Sequence, residues 1–419
     1  TDQLLTEYLL DNVINGNDTI TITSTDLIRR KWLDNHFYGI TTNLKYTPNE
    51  RINVQIGGGY NNYDGDHFGE IIWAKYASNG NIRHRYYDNN GLKKDFNVFA
   101  KSTWDISESV SIYGDIQLRQ VDYSFTGYDE FLREVPQEDA LTFINPKLGI
   151  TYTTAPGKYG YLSISGASKE PSRDDYTESS VNSRPKPERM YDLESGYHHT
   201  WQRVTARFNY FLMQYKDQLV LTGQLNDVGA YIRENVANSF RTGIELDAAY
   251  RLSPKWTIAG NLTLSRNKIE EFTEYIDDYS VEDFRQEVIV YTNTDIAFSP
   301  NIISAAIIDF RPFKNFEVSL LSKYVGNQFL DNTQNEDRML NAFMTNDLRF
   351  NYALRPRFVK NLEFTLLVNN IFNQMYEPNG YTFSYFLPIE GTTGRELVTE
   401  NFFYPQAGTN FLAGVKVRF

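Results

Sequence analysis

The residue types that carry enzyme chemistry occur in this sequence, but not at the spacings that catalysis needs. There is no Gly-x-Ser-x-Gly turn for a nucleophilic serine, no phosphate-binding loop and no His-Glu-x-x-His zinc motif. The chain has no cysteine and 5 histidines. His198 and His199 are neighbours in a predicted strand, so their side chains point to opposite faces and cannot share a ligand. We therefore predict no enzyme, no catalytic residue and no cofactor.

Asp64, Asp66 and Glu70 form a cluster with the chemistry of a metal site. Calcium takes several carboxylate oxygens, but the spacing in YDGDHFGE (residues 63 to 70) does not match an EF-hand. Asp-Gly is also a common turn former. We expect a turn here and assign no metal ligand, and calcium binding at Asp64 and Asp66 stays open.

Two stretches suggest binding without bond chemistry. SKEPSRDDY (168 to 176) could contact a ligand through Arg173 and Tyr176, and the alternative is a solvated charge run. The connection 376 to 407 is rich in aromatic residues, which supply rigid contact area at low entropic cost. Its alternative roles are a membrane-interface girdle or a loop packed on itself. The predicted ligand contacts in this connection are Tyr381, Tyr385, Phe403 and Tyr404.

The elements that must position these residues have the pattern of β-strands. Apolar and polar residues alternate strictly in stretches such as WTIAGNLTL (256 to 264) and VTARFNYFL (204 to 212). A period of two marks a strand with one apolar and one polar face. Charged residues at mid-strand on the polar face suit a hydrated interior better than a dry core. Short turns and long polar connections alternate, which is typical of an outer-membrane barrel with tight periplasmic turns and long extracellular loops.

These boundaries predict about fifteen strands. Their predicted starts lie near residues 37, 52, 94, 108, 143, 158, 190, 204, 237, 256, 300, 315, 343, 362 and 408. If the last strand ends in the periplasm, an odd number places residues 1 to 36 outside the cell. A bacterial single-chain barrel has an even number of strands. We therefore expect the C-terminal part of a larger antiparallel transmembrane β-barrel, with the N-terminal strands absent.

Composition agrees with this expectation. Of 419 residues, 15% are aromatic, with 30 Tyr and 28 Phe, and the mean hydropathy is −0.49. No stretch approaches the roughly 18 apolar residues of a membrane-spanning helix, so any span must be a strand closed into a barrel. A soluble all-β protein is the alternative. The net charge of −12 argues against a nucleic-acid partner.

The last nine residues, FLAGVKVRF, show the same alternation. In a barrel, Phe411, Val415 and Phe419 would meet lipid, and Lys416 and Arg418 would face the hydrated interior. The terminal aromatic of such a strand resembles the signal that the barrel-assembly machinery reads. We therefore expect that machinery to be a partner.

Several segments together resemble a known family. LEFTLLVNNIFNQMYEPNGY (362 to 381) is similar to the penultimate-strand signature of TonB-dependent outer-membrane receptors, particularly those typical of Bacteroidetes. The supporting matches are RRKWLDNHFYG (29 to 39), YDGDHFGEIIW (63 to 73), SKEPSRDDY (168 to 176), KPERMYDLESGY (186 to 197), YFLMQYKDQLV (210 to 220) and SFRTGIELDAAY (239 to 250).

The resemblance implies a 22-stranded barrel closed by an N-terminal plug, of which this chain would supply about fifteen strands and no plug. Residues 1–36 would then be an extracellular loop segment, and residues 37–419 the C-terminal part of the barrel. The implied function is active import of a bulky, scarce nutrient, such as a ferric siderophore, another metal chelate or a cobalamin. TonB would supply energy through the plug, and a surface lipoprotein is a further implied partner.

Two other functions stay open at the level of sequence. A glycan importer of the SusC type is the rival within the same class. A passive porin or a barrel enzyme is the rival from another class, although an enzyme would need convergent catalytic groups at one rim.

Overall fold

The computed structural model is all-β and antiparallel, as the alternation predicted, with one short helix, α1 (Arg173–Thr177). The structure describes residues 8, 13–15, 18–20, 24–76, 83–129, 134–177, 184–225, 231–283 and 285–419. None of the helical segments among these residues has the length and apolar character needed to cross a membrane.

The strands are numbered along the chain. They are β1 (Val13–Asn15), β2 (Asp18–Ile20), β3 (Leu27–Asn49), β4 (Ile52–Ala74), β5 (Arg85–Asp105), β6 (Val110–Gly127), β7 (Gln137–Ala155), β8 (Lys158–Lys169), β9 (Glu188–Thr200), β10 (Val204–Leu225), β11 (Tyr231–Arg251), β12 (Trp256–Asp278), β13 (Arg285–Asp295), β14 (Ile302–Phe310), β15 (Phe316–Val325), β16 (Gln328–Phe329), β17 (Met339–Leu340), β18 (Phe343–Leu354), β19 (Asn361–Asn369), β20 (Asn379–Pro388), β21 (Arg395–Tyr404) and β22 (Asn410–Arg418).

The chain divides into two compact units. Unit 1 comprises Thr1–Ser102, Asp115–Pro146 and Glu170–Arg184. Within it, β3 pairs with β4 from Leu27↔Ala74 to Asn49↔Ile52. Alternate residues of β6 point the same way, so Val121, Tyr123 and Phe125 share one side of the strand. They pack with Phe143 and Tyr176 into a small core.

Unit 2 comprises Thr103–Gly114, Lys147–Lys169 and Pro185–Phe419. Its main sheet runs antiparallel in the order β8, β9, β10, β11, β12, β14, β15, β18, β19, β22. Strands of this sheet that follow one another along the chain therefore also pair with one another. Three insertions interrupt the chain between them: the strand β13 and the hairpins β16–β17 and β20–β21.

The register of unit 2 lines up apolar residues on one face of the sheet. One row crosses five strands through Tyr250, Ile258, Ile308, Leu320 and Leu348. The row beside it on the other face runs through Asp247, Asn261, Ala305, Lys323 and Thr345. Ile258 is 40% exposed and many other large apolar side chains are also exposed. An apolar face of this width is rare on a soluble protein and is expected where a sheet meets lipid.

Every predicted strand start lies within ten residues of an observed one. The largest difference is at β3, which begins at Leu27 instead of the expected residue 37. Residues 27 to 36 therefore form the first part of β3. Part of the segment 1–36 lies outside the described residues, and its extracellular location stays a prediction.

The long connections contain far more strand than expected, and the prediction of loops there is wrong in part. β13, β20 and β21 lie within 271 to 298 and 376 to 407, and β12 alone has 23 residues. A bilayer needs about 9–11 residues per strand. Beyond it, hairpins still pair their backbone groups, so polar sequence does not end a strand. The turn expected at Asp64 to Glu70 is also wrong, because these residues continue β4.

Candidate functional site

Arg173 and Tyr176 lie on α1 in unit 1, where both have packing partners. The Asp175 carboxylate accepts hydrogen bonds from the backbone N–H and hydroxyl of Ser172 and so caps the helix. Arg173 Nη2 donates to Asn89 Oδ1 on β5 (2.6 Å). Arg173 therefore ties the first turn of α1 to β5.

Tyr176 has a relative exposure of 0%. Its hydroxyl donates to Asp139 Oδ2 on β7 (2.6 Å), and its ring centroid lies 5.5 Å from those of Tyr123 and Phe125. Because no part of this side chain reaches solvent, it has a packing role in this conformation. Its predicted contact with a ligand stays a prediction that would need the helix to move.

The other four predicted ligand contacts lie on the β20–β21 hairpin in unit 2. Tyr381 pairs with Phe402 across the hairpin, and their rings stack with centroids 4.8 Å apart. Tyr381 also contacts the ring of Tyr404 at 6.0 Å. Tyr385 lies two positions along from Phe383, at 6.1 Å between centroids. Phe403 pairs with Gly380 and points to the opposite face, so it does not join the other three.

This hairpin extends a sheet formed by the end of β12. The last residues of β12 pair with β13 on one side, and Asp277 and Asp278 pair in parallel with Tyr385 and Phe386 of β20 on the other. The strand order is therefore β13, β12, β20, β21. We call one side of this four-stranded sheet the aromatic face, and its residues are Tyr275, Tyr279, Tyr381, Phe383, Tyr385, Phe402 and Tyr404.

The polar groups of the aromatic face are hydroxyls and carboxylates. Tyr385 donates its hydroxyl proton to Glu400 Oε1 (2.7 Å), and Asp277 accepts from Gln286 (2.9 Å). By the strand register and alternation, no Lys or Arg of β12, β13, β20 or β21 lies beside these rings. The face can stack on rings and accept hydrogen bonds, and it repels anions.

The opposite side of the same sheet covers Arg338, which is 2% exposed. Its Nη1 donates to Glu274 Oε1 (2.5 Å) and Asp331 Oδ2 (2.6 Å), and its Nη2 donates to Ser384 Oγ (2.7 Å). Burial disfavours the charged guanidinium, but the two carboxylates outweigh this and raise the pKa of Arg338. The buried cation is thus paired with carboxylates on two separate segments.

The β16–β17 hairpin that carries Arg338 is anchored at several further points. Asn332 Nδ2 donates to the Leu221 carbonyl (2.6 Å), and Asn332 Oδ1 accepts from the Ala297 N–H (2.8 Å). Leu330 and Leu340 are fully buried. The hairpin therefore forms a fixed support beneath the aromatic face.

A second arginine, Arg395, links three strands of the four-stranded sheet. Arg395 of β21 donates to Asp278 and to Glu287 Oε2 (2.7 Å), and its guanidinium carbon lies 4.0 Å from the centroid of Phe386. It therefore ties β21 to both β12 and β13.

Four members of the aromatic face are not among the ligand contacts predicted from the sequence. Tyr275 and Tyr279 lie in the connection 271 to 298, which the sequence predicts to be long and polar, although the spacing Tyr-x-Asp-x-Tyr fits one face of a strand. Phe383 and Phe402 lie in the aromatic stretch but were not chosen. Arg338 has no local signal for its position under this sheet, because Ser384 and Glu274, its two partners in the sheet, lie 46 and 64 residues away in the chain.

The Asp64 and Asp66 cluster does not have the geometry of a cation site. Asn90 Nδ2 donates to Asp64 Oδ1 (2.7 Å) and to Asp66 Oδ1 (2.8 Å). The part of the chain that the structure describes contains no group of three or more acidic or histidine side chains able to hold a metal ion.

The main sheet of unit 2 has one apolar and one polar face, and its strands and hairpins are longer than a bilayer requires. These features define the class of β-stranded membrane proteins. The family model for "TonB dependent receptor-like, beta-barrel" matches residues 4–371. The chain therefore belongs to the TonB-dependent receptor β-barrel family, and the resemblance found in the sequence is confirmed. Its likeness to Bacteroidetes members stays a prediction. No curated protein sequence matches the chain.

Solved structures of similar fold include two receptors for ferric complexes and one copper transporter. The ferric-catecholate import receptor Fiu from E. coli K12, in its closed form, is 16% identical with a TM-score of 0.64 and covers 93% of this chain. The ferric yersiniabactin uptake receptor FyuA from Yersinia pestis is 14% identical (TM-score 0.62, 92% of this chain), and the copper transporter OprC is 16% identical (TM-score 0.68, 92%). This chain spans 55%, 54% and 57% of their respective lengths.

Proposed function

We propose that this chain is part of an outer-membrane receptor of a Gram-negative bacterium that binds a bulky, scarce nutrient and imports it with TonB-derived energy. Membership of the receptor family is the observation that carries this proposal. The aromatic face on its rigid support supplies a surface for ligand recognition. The receptor would bind and release its ligand without bond chemistry, so we propose no enzymatic activity.

The rest of the receptor would supply what transport needs. In our proposal, about fifteen strands of this chain belong to a 22-stranded barrel, with residues 1–36 extracellular and residues 37–419 in the C-terminal part of the barrel. The remaining strands and a plug would come from outside this chain, and TonB would act through the plug. The barrel-assembly machinery would insert the protein, and a surface lipoprotein would be a further partner.

Within the proposed nutrients, the aromatic face favours neutral or positively charged chelates with flat surfaces. Its rings offer stacking area, and Glu400 and Asp277 would repel a strongly anionic ferric complex. A siderophore complex without excess negative charge, or a cobalamin, fits this surface best. A glycan is the second candidate, because sugar rings also stack on Tyr and Phe and their hydroxyls can donate to the carboxylates.

Uptake measurements test the function directly. A strain that lacks the intact gene should lose TonB-dependent accumulation of one ligand when ferric siderophores, cobalamin, heme and oligosaccharides are compared. Uptake that continues without TonB would support a passive porin. Conversion of the ligand by the purified receptor would support a barrel enzyme.

Matched variants test the site. In the intact receptor, Tyr381→Ala, Tyr385→Ala and Tyr404→Ala should each weaken ligand binding by about fivefold, since one lost ring contact is worth about 1 kcal/mol. Phe403→Ala is the control, because this ring has similar size and is 44% exposed but lies on the other face. If only Phe403→Ala lowers the affinity, the ligand lies on that other face. Binding that no variant changes would remove the hairpin from the site.

A further inference from the structure

Four short turns of unit 2 are unusually basic. They join β9 to β10, β11 to β12, β14 to β15 and β18 to β19, at residues 201–203, 252–255, 311–315 and 355–360. These segments contain seven Lys and Arg residues and no Asp or Glu. By contrast, the β5–β6 turn (106–109) holds Glu108 and no cation. The positive charge therefore belongs to this set of turns and is not a general property of tight turns in unit 2.

The same turns present aromatic rings to the surroundings. Phe313 is 60% exposed and Phe358 is 81% exposed, and Trp201 is also exposed. The ring of Phe313 stacks on Phe316 with centroids 5.0 Å apart, and Phe316 contacts Tyr352 at 6.1 Å. Cations beside exposed aromatic rings are the residue types found where a membrane protein meets lipid headgroups.

A cavity of about 710 Å³ lies among these turns. Its lining includes Lys255, Arg311, Phe313 and Lys314 from the turns, with Phe316, Tyr352 and Phe364 from the adjoining strand ends. Arg311 is paired with Glu317 at 2.6 Å. Among the described residues, no carboxylate pairs with the ammonium group of Lys255 or Lys314. The lining also contains Glu363, whose carboxylate accepts a hydrogen bond from Asn361. Three cations therefore face two carboxylates, and the cavity keeps a net positive charge beside an aromatic wall.

The aromatic wall is also the last row of the apolar face. Phe316 pairs with Tyr352, and Tyr352 pairs with Phe364, in the register that carries the apolar rows of unit 2. A molecule with an anionic head and apolar tails could therefore place its head at the lysines and its tails along this face.

We propose that this basic rim binds the headgroup of an anionic phospholipid, such as phosphatidylglycerol or cardiolipin, in the leaflet at the short-turn end. Lysine ammonium groups bind phosphate as point charges. Lys255 and Lys314 contact the lipid phosphate, and the acyl chains lie along Phe316, Tyr352 and Phe364. This inference rests on the proposed membrane location, in which short turns lie on the periplasmic side.

The test uses the intact receptor in phosphatidylcholine nanodiscs, with binding of added phosphatidylglycerol counted by native mass spectrometry. The wild type should prefer phosphatidylglycerol to phosphatidylcholine. The double variant Lys255→Gln, Lys314→Gln should lose on the order of tenfold or more of this preference, from the contribution expected of each lysine near an anionic lipid surface. The matched control is Lys323→Gln, Lys416→Gln, which removes the same charge from β15 and β22 and should keep the preference.

Each alternative gives a different result. Equal loss of preference in both double variants, or none in the rim variant, overturns the proposal. Displacement of the lipid by millimolar inorganic phosphate assigns the lysines to a free anion and also overturns it. The variant Lys255→Arg, Lys314→Arg keeps both charges and should keep the preference, which separates a lost contact from misfolding. Failure of the wild type to insert into any bilayer contradicts the proposed location, whereas insertion without lipid preference contradicts only the lipid site.

Discussion

Arg338 is the residue whose loss should most affect the support of the aromatic face. Its side chain is 3% exposed, and those of its partners Asp331 and Glu274 are 4% and 11% exposed. Replacement by Met leaves two buried carboxylates without a cation, which typically costs about 3–5 kcal/mol. We expect Arg338→Met to lower the free energy of unfolding by about that amount in guanidinium titrations of the receptor folded in vesicles.

Two further variants separate charge from packing at this position. Arg285→Met removes an exposed arginine that lies 3.9 Å from Glu287, so a change of at most about 0.5 kcal/mol is expected. Adding Asp331→Asn and Glu274→Gln to Arg338→Met should recover part of the lost stability. If Arg338→Met behaves like Arg285→Met, the buried pairs do not stabilise the hairpin.

Glu170 predicts an acid-sensitive step in the stability of unit 1. It follows β8, where Lys93 Nζ (2.8 Å) and Arg119 (2.7 Å) both donate to its carboxylate. Burial would raise its pKa, but these hydrogen bonds outweigh burial and lower the pKa of Glu170 from 4.5 to about 2. Because the folded-state pKa is depressed, its stabilisation is complete above pH 4.5 and is lost as the pH falls towards 2.

The expected loss is about 2–3 kcal/mol, and it should be visible as a fall in unfolding free energy between pH 5 and pH 2. The variant Glu170→Gln should be less stable at neutral pH and should lack this part of the pH dependence. Glu108→Gln, at an exposed turn position, should keep the wild-type profile. If the unfolding free energies of Glu170→Gln and the wild type fall in parallel with pH, protonation of Glu170 does not cause the loss of stability in acid.

At the scale of elements, α1 depends on one buried ring. Tyr176→Ala removes a fully buried side chain that packs on Tyr123 and Phe125, at a cost of about 3–5 kcal/mol. Tyr176→Phe keeps the ring and loses the hydrogen bond to Asp139, at a cost of about 1–2 kcal/mol. Hydrogen exchange of residues 173 to 177 should accelerate most in Tyr176→Ala. Tyr76→Ala removes an exposed ring of the same unit and should leave that exchange unchanged.

The strands could be predicted because alternation depends on residues two positions apart. The turn residues likewise predict the starts of β4, β8 and β12 without error. The support under the aromatic face could not be predicted, because Asn332 bonds to Leu221 at a separation of 111 residues. Alternation alone places Phe403 and Tyr404 on opposite faces of β21, but which of the two joins Tyr381 depends on the register between β20 and β21, which no local pattern fixes. Local periodicity thus predicts elements, while the site depends on contacts between distant segments.

At the scale of the whole molecule, the two faces of the main sheet of unit 2 should tolerate charge differently. Leu262 and Thr263 are adjacent in β12, so they point to opposite faces. Leu262 pairs with Leu246 and Ser304 on the apolar face, and Thr263 pairs with Glu245 and Ile303 on the other. An arginine on a lipid face costs about 2–4 kcal/mol at the bilayer midplane and much less on a hydrated face.

We therefore expect Leu262→Arg to lower the yield of protein folded into vesicles and to reduce the unfolding free energy by about 2–4 kcal/mol. Thr263→Arg should change it by less than about 1 kcal/mol, because the guanidinium can reach water and the Glu245 carboxylate. Both variants place one arginine at nearly the same depth along β12, so the difference in unfolding free energy reports which face meets lipid. Equal effects of the two variants would mean that neither face of this sheet is embedded in a bilayer.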